Sequence, residues 1–217
     1  MWPKVKICCI GSVLEAKLAI RYGASALGLV GQMPSGPGVI SDDLIKAIVP
    51  IVPPPIATFL LTSQTSIEGI VAHHKRVNTS VIQIVDALQS GSYQDLKNAF
   101  PSIKLVQVIH VIDDRTIDEA LEVAQNVDAL LLDSGNPNLA IKELGGTGRV
   151  HNWELSRKIV EQSPVPVFLA GGICSDNVRQ AIEVVQPWGV DLCSGVRTSG
   201  LLDERKLAAF FEEINRI

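Results

Sequence analysis

At 217 residues and 47% hydrophobic, the chain is long enough to bury a substantial core as one domain spanning residues 1–217. Nineteen Lys and Arg against 23 Asp and Glu leave a formal charge of −4, which excludes the basic footprint of a nucleic-acid or anionic-membrane binder. No apolar run reaches the roughly 20 residues a bilayer span needs. The opening MWPKVKICCI reads as a strand, without the long apolar core of a signal peptide, so a cytoplasmic protein is expected.

Strand-like and helix-like segments alternate from end to end. Val5–Ile10 is the first strand; Ser12 and Glu15 form a capping box for a helix over Val13–Tyr22, which Gly23 stops. Ala26–Gly31 is the second strand, followed by the loop Gln32–Val39 and a helix opened by Ser41, Asp42 and Asp43 that runs to about Val49. Ile56–Thr62 is the third strand, with Thr65 and Glu68 as cap pair for a helix to about Arg76. Val81–Val85, a short helix Tyr93–Phe100, Lys104–Val111 and a helix Thr116–Gln125 capped by Thr116 and Glu119 come next. Ala129–Leu132 leads into Asp133 at the exit of the sixth strand. A glycine-rich loop, Gly145, Gly146, Thr147 and Gly148, precedes a helix capped by Asn152. Pro166–Ala170, a helix Ser175–Val185, Val190–Ser194 and a helix Asp203–Arg216 complete the chain.

Eight such units in this length predict an α/β fold, a single (β/α)₈ barrel. The strands are apolar with little alternation, as in a parallel sheet covered on both faces. A doubly wound open sheet would want a G-x-G-x-x-G after its first strand, and none is present. In a barrel the chemistry sits at the C-terminal strand ends. There the chain offers a carboxylate, Asp133, beside a glycine loop (Gly145, Gly146), which suits proton transfer on a phosphorylated ligand. Strand seven closes on Gly171 and Gly172 and strand eight on Ser194 and Gly195, where barrels often build a phosphate site. Alternation on strand one sends Lys6 and Cys8 to the interior and Ile7 and Cys9 to the helix-packing layer. Cys8, Cys9, Cys174 and Cys193 lack metal-ligand spacing.

KICCI, DALLLDS, GGTG followed by HNW, PVFLAGGI and DLCSGV together resemble phosphoribosylanthranilate isomerase, over nearly the whole chain and most strongly from Asp128 onward. The resemblance implies an Amadori rearrangement of N-(5'-phosphoribosyl)anthranilate to the 1-deoxyribulose phosphate, in tryptophan biosynthesis. Carried over, Cys8 is the general base and Asp133 the general acid. The chemistry implied needs no metal and no organic cofactor; the partner is a small phosphorylated substrate, and the protein a monomer or homodimer. Lys6 would favour a thiolate at Cys8 if its ammonium lies close.

The match has gaps. The family's arginine in the loop after strand two, in a Ser-Pro-Arg-aromatic pattern, is missing: the chain reads Ser35, Gly36, Pro37, Gly38, Val39. Its Gln-Leu-His-Gly becomes Gln83, Ile84, Val85, Asp86; Arg197 stands where an acidic residue is common, and Cys9 replaces a glycine. Arg197 or Arg149 could meet the substrate carboxylate in place of the missing arginine. Alternatively the chain runs the same rearrangement on another N-glycosyl or amino-sugar phosphate, or binds a phosphate ligand without turnover. Gln83 and His110 are further substrate-binding candidates, His110 equally a hydrogen-bonded core residue. His73 and His74 are expected to be solvated on their helix, His151 to make a cap contact, and Trp153 to pack against the barrel.

Overall fold

The computed structural model describes residues 3–135, 139, 146 and 148–216. Eight parallel strands close into a barrel in sequence order: β1 (Lys4–Ile7), β2 (Ala26–Val30), β3 (Ala57–Thr62), β4 (Val81–Ile84), β5 (Lys104–His110), β6 (Ala129–Asp133), β7 (Val167–Leu169) and β8 (Gly189–Leu192). The register that closes it pairs Lys6 with Asp191 and Ile7 with Leu192 across β1 and β8. The helices are α1 (Val13–Tyr22), α2 (Asp42–Ile48), α3 (Ile67–Val77), α4 (Tyr93–Ala99), α5 (Arg115–Ala124), α6 (Trp153–Gln162), α7 (Val178–Val185) and α8 (Glu204–Ile214).

The period of two along each strand divides the apolar residues between two cores. Ile7, Leu27, Leu29, Leu60, Ile82, Leu130 and Leu132 point outward and pack beneath the helices. Phe59, Leu61, Val81, Val106, Val108, Ala129, Leu131 and Phe168 fill the barrel, with Phe59 and Phe168 in an edge-to-face contact at 5.9 Å. Asp133 shares the parity of Ala129 and Leu131, and Lys6 is fully buried inside the barrel.

Several local expectations are corrected. The N-cap of α3 is Ser66, not Thr65; the Ser66 hydroxyl accepts from Gly69 N–H. Helix α5 starts after Asp114, and Thr116 lies inside it, its hydroxyl accepting from Ile112 and Asp113 N–H. Helix α7 begins at Val178 because Asn177 holds the preceding loop: its Oδ1 accepts from Cys174 N–H and its Nδ2 donates to Gly172 O. His73 and His74 are buried rather than solvated. They continue the inward stripe of Ile67, Ile70 and Val77, at helical spacing. His73 bridges Thr62 Oγ1 at 3.1 Å and Asp42 Oδ1 at 3.2 Å, and His74 donates to Thr79 O.

Cys9 is the most consequential correction. Strand β1 ends at Ile7, so alternation no longer governs Cys9, whose backbone is left-handed at φ 60°. That turn brings its sulfur to the barrel mouth, 2.8 Å from the Cys193 sulfur, instead of into the helix layer.

Candidate active site

The C-terminal strand ends enclose one cavity lined by Cys8, Gln83, Asp133, Gly146, Gly171, Gly172 and Ser194, all expected from the sequence. Asp191, Cys193 and the loop residues Met33, Ser35, Gly36 and Pro37 also line it. Gly145 lies outside the described residues.

Asp133 reaches the cavity because β6 ends on an inward-facing position. It is 7% exposed, and burial lifts its carboxyl from 3.8 to about 6. The Ser134 N–H, donating to Oδ1 at 2.7 Å, and the Lys6 ammonium oppose that rise, while the Asp191 charge adds to it. The result is a carboxyl that keeps its proton up to about pH 6, well above an exposed aspartate, which suits proton donation to a substrate oxygen.

Lys6 donates to Asp191 Oδ1 at 2.8 Å beneath the mouth. Burial works against its charge, but Asp191 and the nearby Cys8 more than offset it, so the ammonium is raised above its usual range. Lys6 therefore stays charged in the barrel floor and does not line the cavity. Lys6 and Cys8 face the same spot. A Cβ built on Gly28 would lie 2.7 Å from Cys8 Sγ and 3.1 Å from Lys6 Nζ, so only glycine leaves the two room to approach.

On the far rim, Gly171 and Gly172 both adopt left-handed backbone, at φ 80° and 65°. A Cβ at Gly172 would lie 2.8 Å from the Arg149 backbone and 3.0 Å from Gly148 O, so Gly148 and Arg149 can pass this close to the turn only with glycine there. Ser194 opens a short 3₁₀ turn, Ser194–Val196, beside it. Both turns thus sit at one edge of the cavity. Gly195 supports this turn from below, where a Cβ would collide with Ile173 O.

The remaining candidates lie elsewhere. His110 ends β5 but faces a neighbouring groove with Tyr93 and Glu119, and donates from Nε2 to Val85 O at 3.4 Å. His151 meets Ser156 Oγ at 2.7 Å, and burial lowers its imidazolium to about 4. Arg149 does not line the cavity. Arg197 is buried in the wall, with its guanidinium turned to Glu15 and the backbone of β1's exit. Gln83 is 2% exposed, and its Oε1 has no partner, so an acceptor is on offer in the cavity wall. Asp191 was missed by the sequence reading, although its parity on β8 with the interior of the barrel is a signal that could have found it.

A sequence model of N-(5'-phosphoribosyl)anthranilate isomerase matches residues 5–213. The chain belongs to the phosphoribosylanthranilate isomerase family. N-(5'-phosphoribosyl)anthranilate isomerase 2 of Methanosarcina mazei is 37% identical over 209 residues, 95% of this chain and 92% of the relative. The isomerase of Methanosarcina acetivorans is 34% identical over 228 residues, 97% of this chain and 92% of the relative. Among solved structures, phosphoribosylanthranilate isomerase from Thermotoga maritima has a TM-score of 0.82 at 25% identity, covering 99% of this chain and all of that one.

Proposed function

We propose that the protein isomerises N-(5'-phosphoribosyl)anthranilate to the corresponding 1-deoxyribulose phosphate, a step of tryptophan biosynthesis. The observation that carries this reading is the meeting of Cys8 and Asp133 in one cavity whose far rim is the paired glycine turn. Asp133 donates its proton to the furanose ring oxygen, and the ring opens to an imine. Cys8 as thiolate removes the C2' proton, leaving an enolamine that takes a proton and becomes the amino-ketose. Each positioned acid or base contributes about 10²–10⁴ in rate. The backbone N–H groups of Gly171, Gly172 and the Ser194 turn hold the phosphate, with Gly146 beside them. Gln83 accepts from a substrate N–H or O–H. The catalyst works as a monomer or homodimer. A cytoplasmic setting suits a chain in which no helix among the described residues is long and apolar enough to cross a membrane.

The test is steady-state turnover of phosphoribosylanthranilate by the wild type, Cys8→Ala and Asp133→Asn. Each substitution is expected to remove about 10²-fold or more of kcat; wild-type turnover in both would end the mechanism.

A second reading rests on the neutral lining of the amine end. Among the described residues that line the cavity there is no lysine or arginine; Met33, Ser35, Gly36 and Pro37 stand there instead. The same rearrangement on an N-glycosyl phosphate without a carboxylate fits that lining. Comparing kcat/KM for the anthranilate substrate and its aniline counterpart separates the two readings.

A further inference from the structure

The departures from the family pattern at Cys9, Pro37–Gly38 and Arg197 are far apart in sequence but form one corner of the mouth. Cys9 Sγ contacts Pro37 O at 3.7 Å and Cys193 Sγ at 2.8 Å. A Cβ on Gly38 would collide with Cys9 Cβ and lie 2.9 Å from its Sγ, so the loop after β2 passes directly over Cys9. Cys9 holds a side chain at a positive φ, where L-residues are strained and persist only when their surroundings hold them. Something must hold this turn.

Arg197 does so. Its guanidinium donates to Cys8 O at 3.2 Å, to the neighbouring Cys9 O, and to Gly200 O at 2.9 Å. It is oriented by Glu15, whose carboxylate oxygens lie 3.2 and 3.1 Å from its two terminal nitrogens. Glu15 also accepts from Gly11 N–H at 2.8 Å and Leu202 N–H at 2.9 Å. Burial opposes its charge, but Arg197 and these two N–H groups outweigh it and hold Glu15 below the usual carboxylate range. One ion pair, buried on the Arg197 side and partly buried at Glu15, therefore ties the exit of β1, the start of α1 and the short hairpin of Arg197–Thr198 with Leu201–Leu202 into a single unit.

We infer that Arg197, oriented by Glu15, is a positioning residue for the base. By gripping the carbonyls of Cys8 and Cys9 it fixes the direction in which the Cys8 sulfur enters the mouth. This rests on the reading of Cys8 as base. Arg197 engages the carbonyl oxygen, four bonds from the sulfur, so a displacement of this peptide that carries the Cys8 Cα with it displaces the sulfur as well. A reacting group displaced by about 1 Å can lose on the order of 10²-fold in rate. A planar guanidinium can reach two successive carbonyls and a carboxylate together, whereas an ammonium is a single point.

The experiment measures kcat and KM for phosphoribosylanthranilate in the full-length Arg197→Ala, Arg197→Lys and Glu15→Gln variants, with thermal midpoints recorded for each. Turnover is read well below every midpoint. In Arg197→Ala we expect kcat to fall roughly tenfold to a hundredfold with KM changed by less than about twofold. Arg197→Lys is expected to recover part of that loss, with Glu15→Gln between it and the wild type. If Arg197→Ala does not fold, the same kcat-against-KM split in the other two variants carries the test. Wild-type kcat with only a lowered midpoint would overturn the inference, and so would a raised KM at unchanged kcat, which would make Arg197 a substrate ligand. Cys8→Ala run alongside separates the two failures. An active Cys8→Ala variant removes the base itself, whereas an inactive one beside a fully active Arg197→Ala removes only the clamp.

Discussion

The two rims of the mouth are built differently. On the β6–β7 side the acid and the glycine turns rest mainly on backbone, with Ser134 N–H on Asp133 and glycines that alone fit their φ; the Asn177 amide is the one side chain bracing the Gly172 loop among the contacts described. On the β1–β2–β8 side the base is held by side chains: the Lys6–Asp191 pair below it and the Arg197–Glu15 pair behind it. Backbone-built sites tolerate change at neighbouring side chains, because the parts that matter are fixed by φ and by main-chain donors. Side-chain-built sites can be rebuilt by covarying residues. On the second side Cys9 touches both the Pro37–Gly38 loop and Arg197, the positions at which the resemblance noted in the sequence has gaps.

The strongest way to break this contrast is to remove one charge from the side-chain-built rim. Lys6 is fully buried and Asp191 only 8% exposed, so Lys6→Met leaves a buried carboxylate without its partner. Such a change costs about 3–5 kcal/mol, readable from urea unfolding. A loss below about 1 kcal/mol would mean that Asp191 simply takes up a proton and that the pair contributes little.

Activity should show the next largest effect, through pH. Asp133 must be protonated to donate, and its carboxyl stands at about 6. The alkaline limb of kcat/KM should therefore fall through about pH 6, as the free enzyme loses this proton. Asp191→Asn removes a charge that raises Asp133, so the limb should move to lower pH. A limb unmoved by that substitution would assign it to some other group. Stability has the opposite pH sign for the histidines. His73, His74, His110 and His151 are all lowered by burial, so the folded state binds fewer protons than the unfolded chain. Their contribution is complete above the ordinary value of 6.5 and is lost as pH falls, for His151 down to about 4. The thermal midpoint should drop across that window, less so in His151→Gln.

The backbone-built rim was the more legible one in the sequence. A carboxylate at the end of an apolar strand and glycines closing strands seven and eight are local signals, and each stood where the barrel needs it. The eight strands were legible for the same reason: runs such as Ala129–Leu132 carry their own period. What failed depended on contacts distant in sequence. Cys9 was sent to the helix layer by an alternation that stops at Ile7, and nothing local announces its left-handed turn. Arg197 looked like a free cation because its partner, Glu15, lies 182 positions away. The buried histidines of α3 were a misreading of a signal that was present, since they sit three and four residues after Ile70.

The smallest expected effect is also the sharpest test of the rebuilt corner. Gly38 has φ 78°, and a Cβ there meets Cys9 Cβ. Gly38→Ala therefore carries two penalties, the strained backbone and the collision. In a Cys9→Gly background the contacts with Cβ and Sγ are gone, and only the strain and the 2.9 Å approach to the Cα of position 9 remain. Cys9→Gly alone should change stability by less than about 1 kcal/mol, since relief at its own positive φ offsets the lost burial of a small side chain. Gly38→Ala should then cost about 0.5–3 kcal/mol less in the Cys9→Gly background than in the wild type, the range typical of residues in direct contact. Urea unfolding of the four proteins in this cycle measures that difference. Strict additivity would mean that the loop after β2 does not rest on Cys9, and the contrast between the two rims would lose its structural basis.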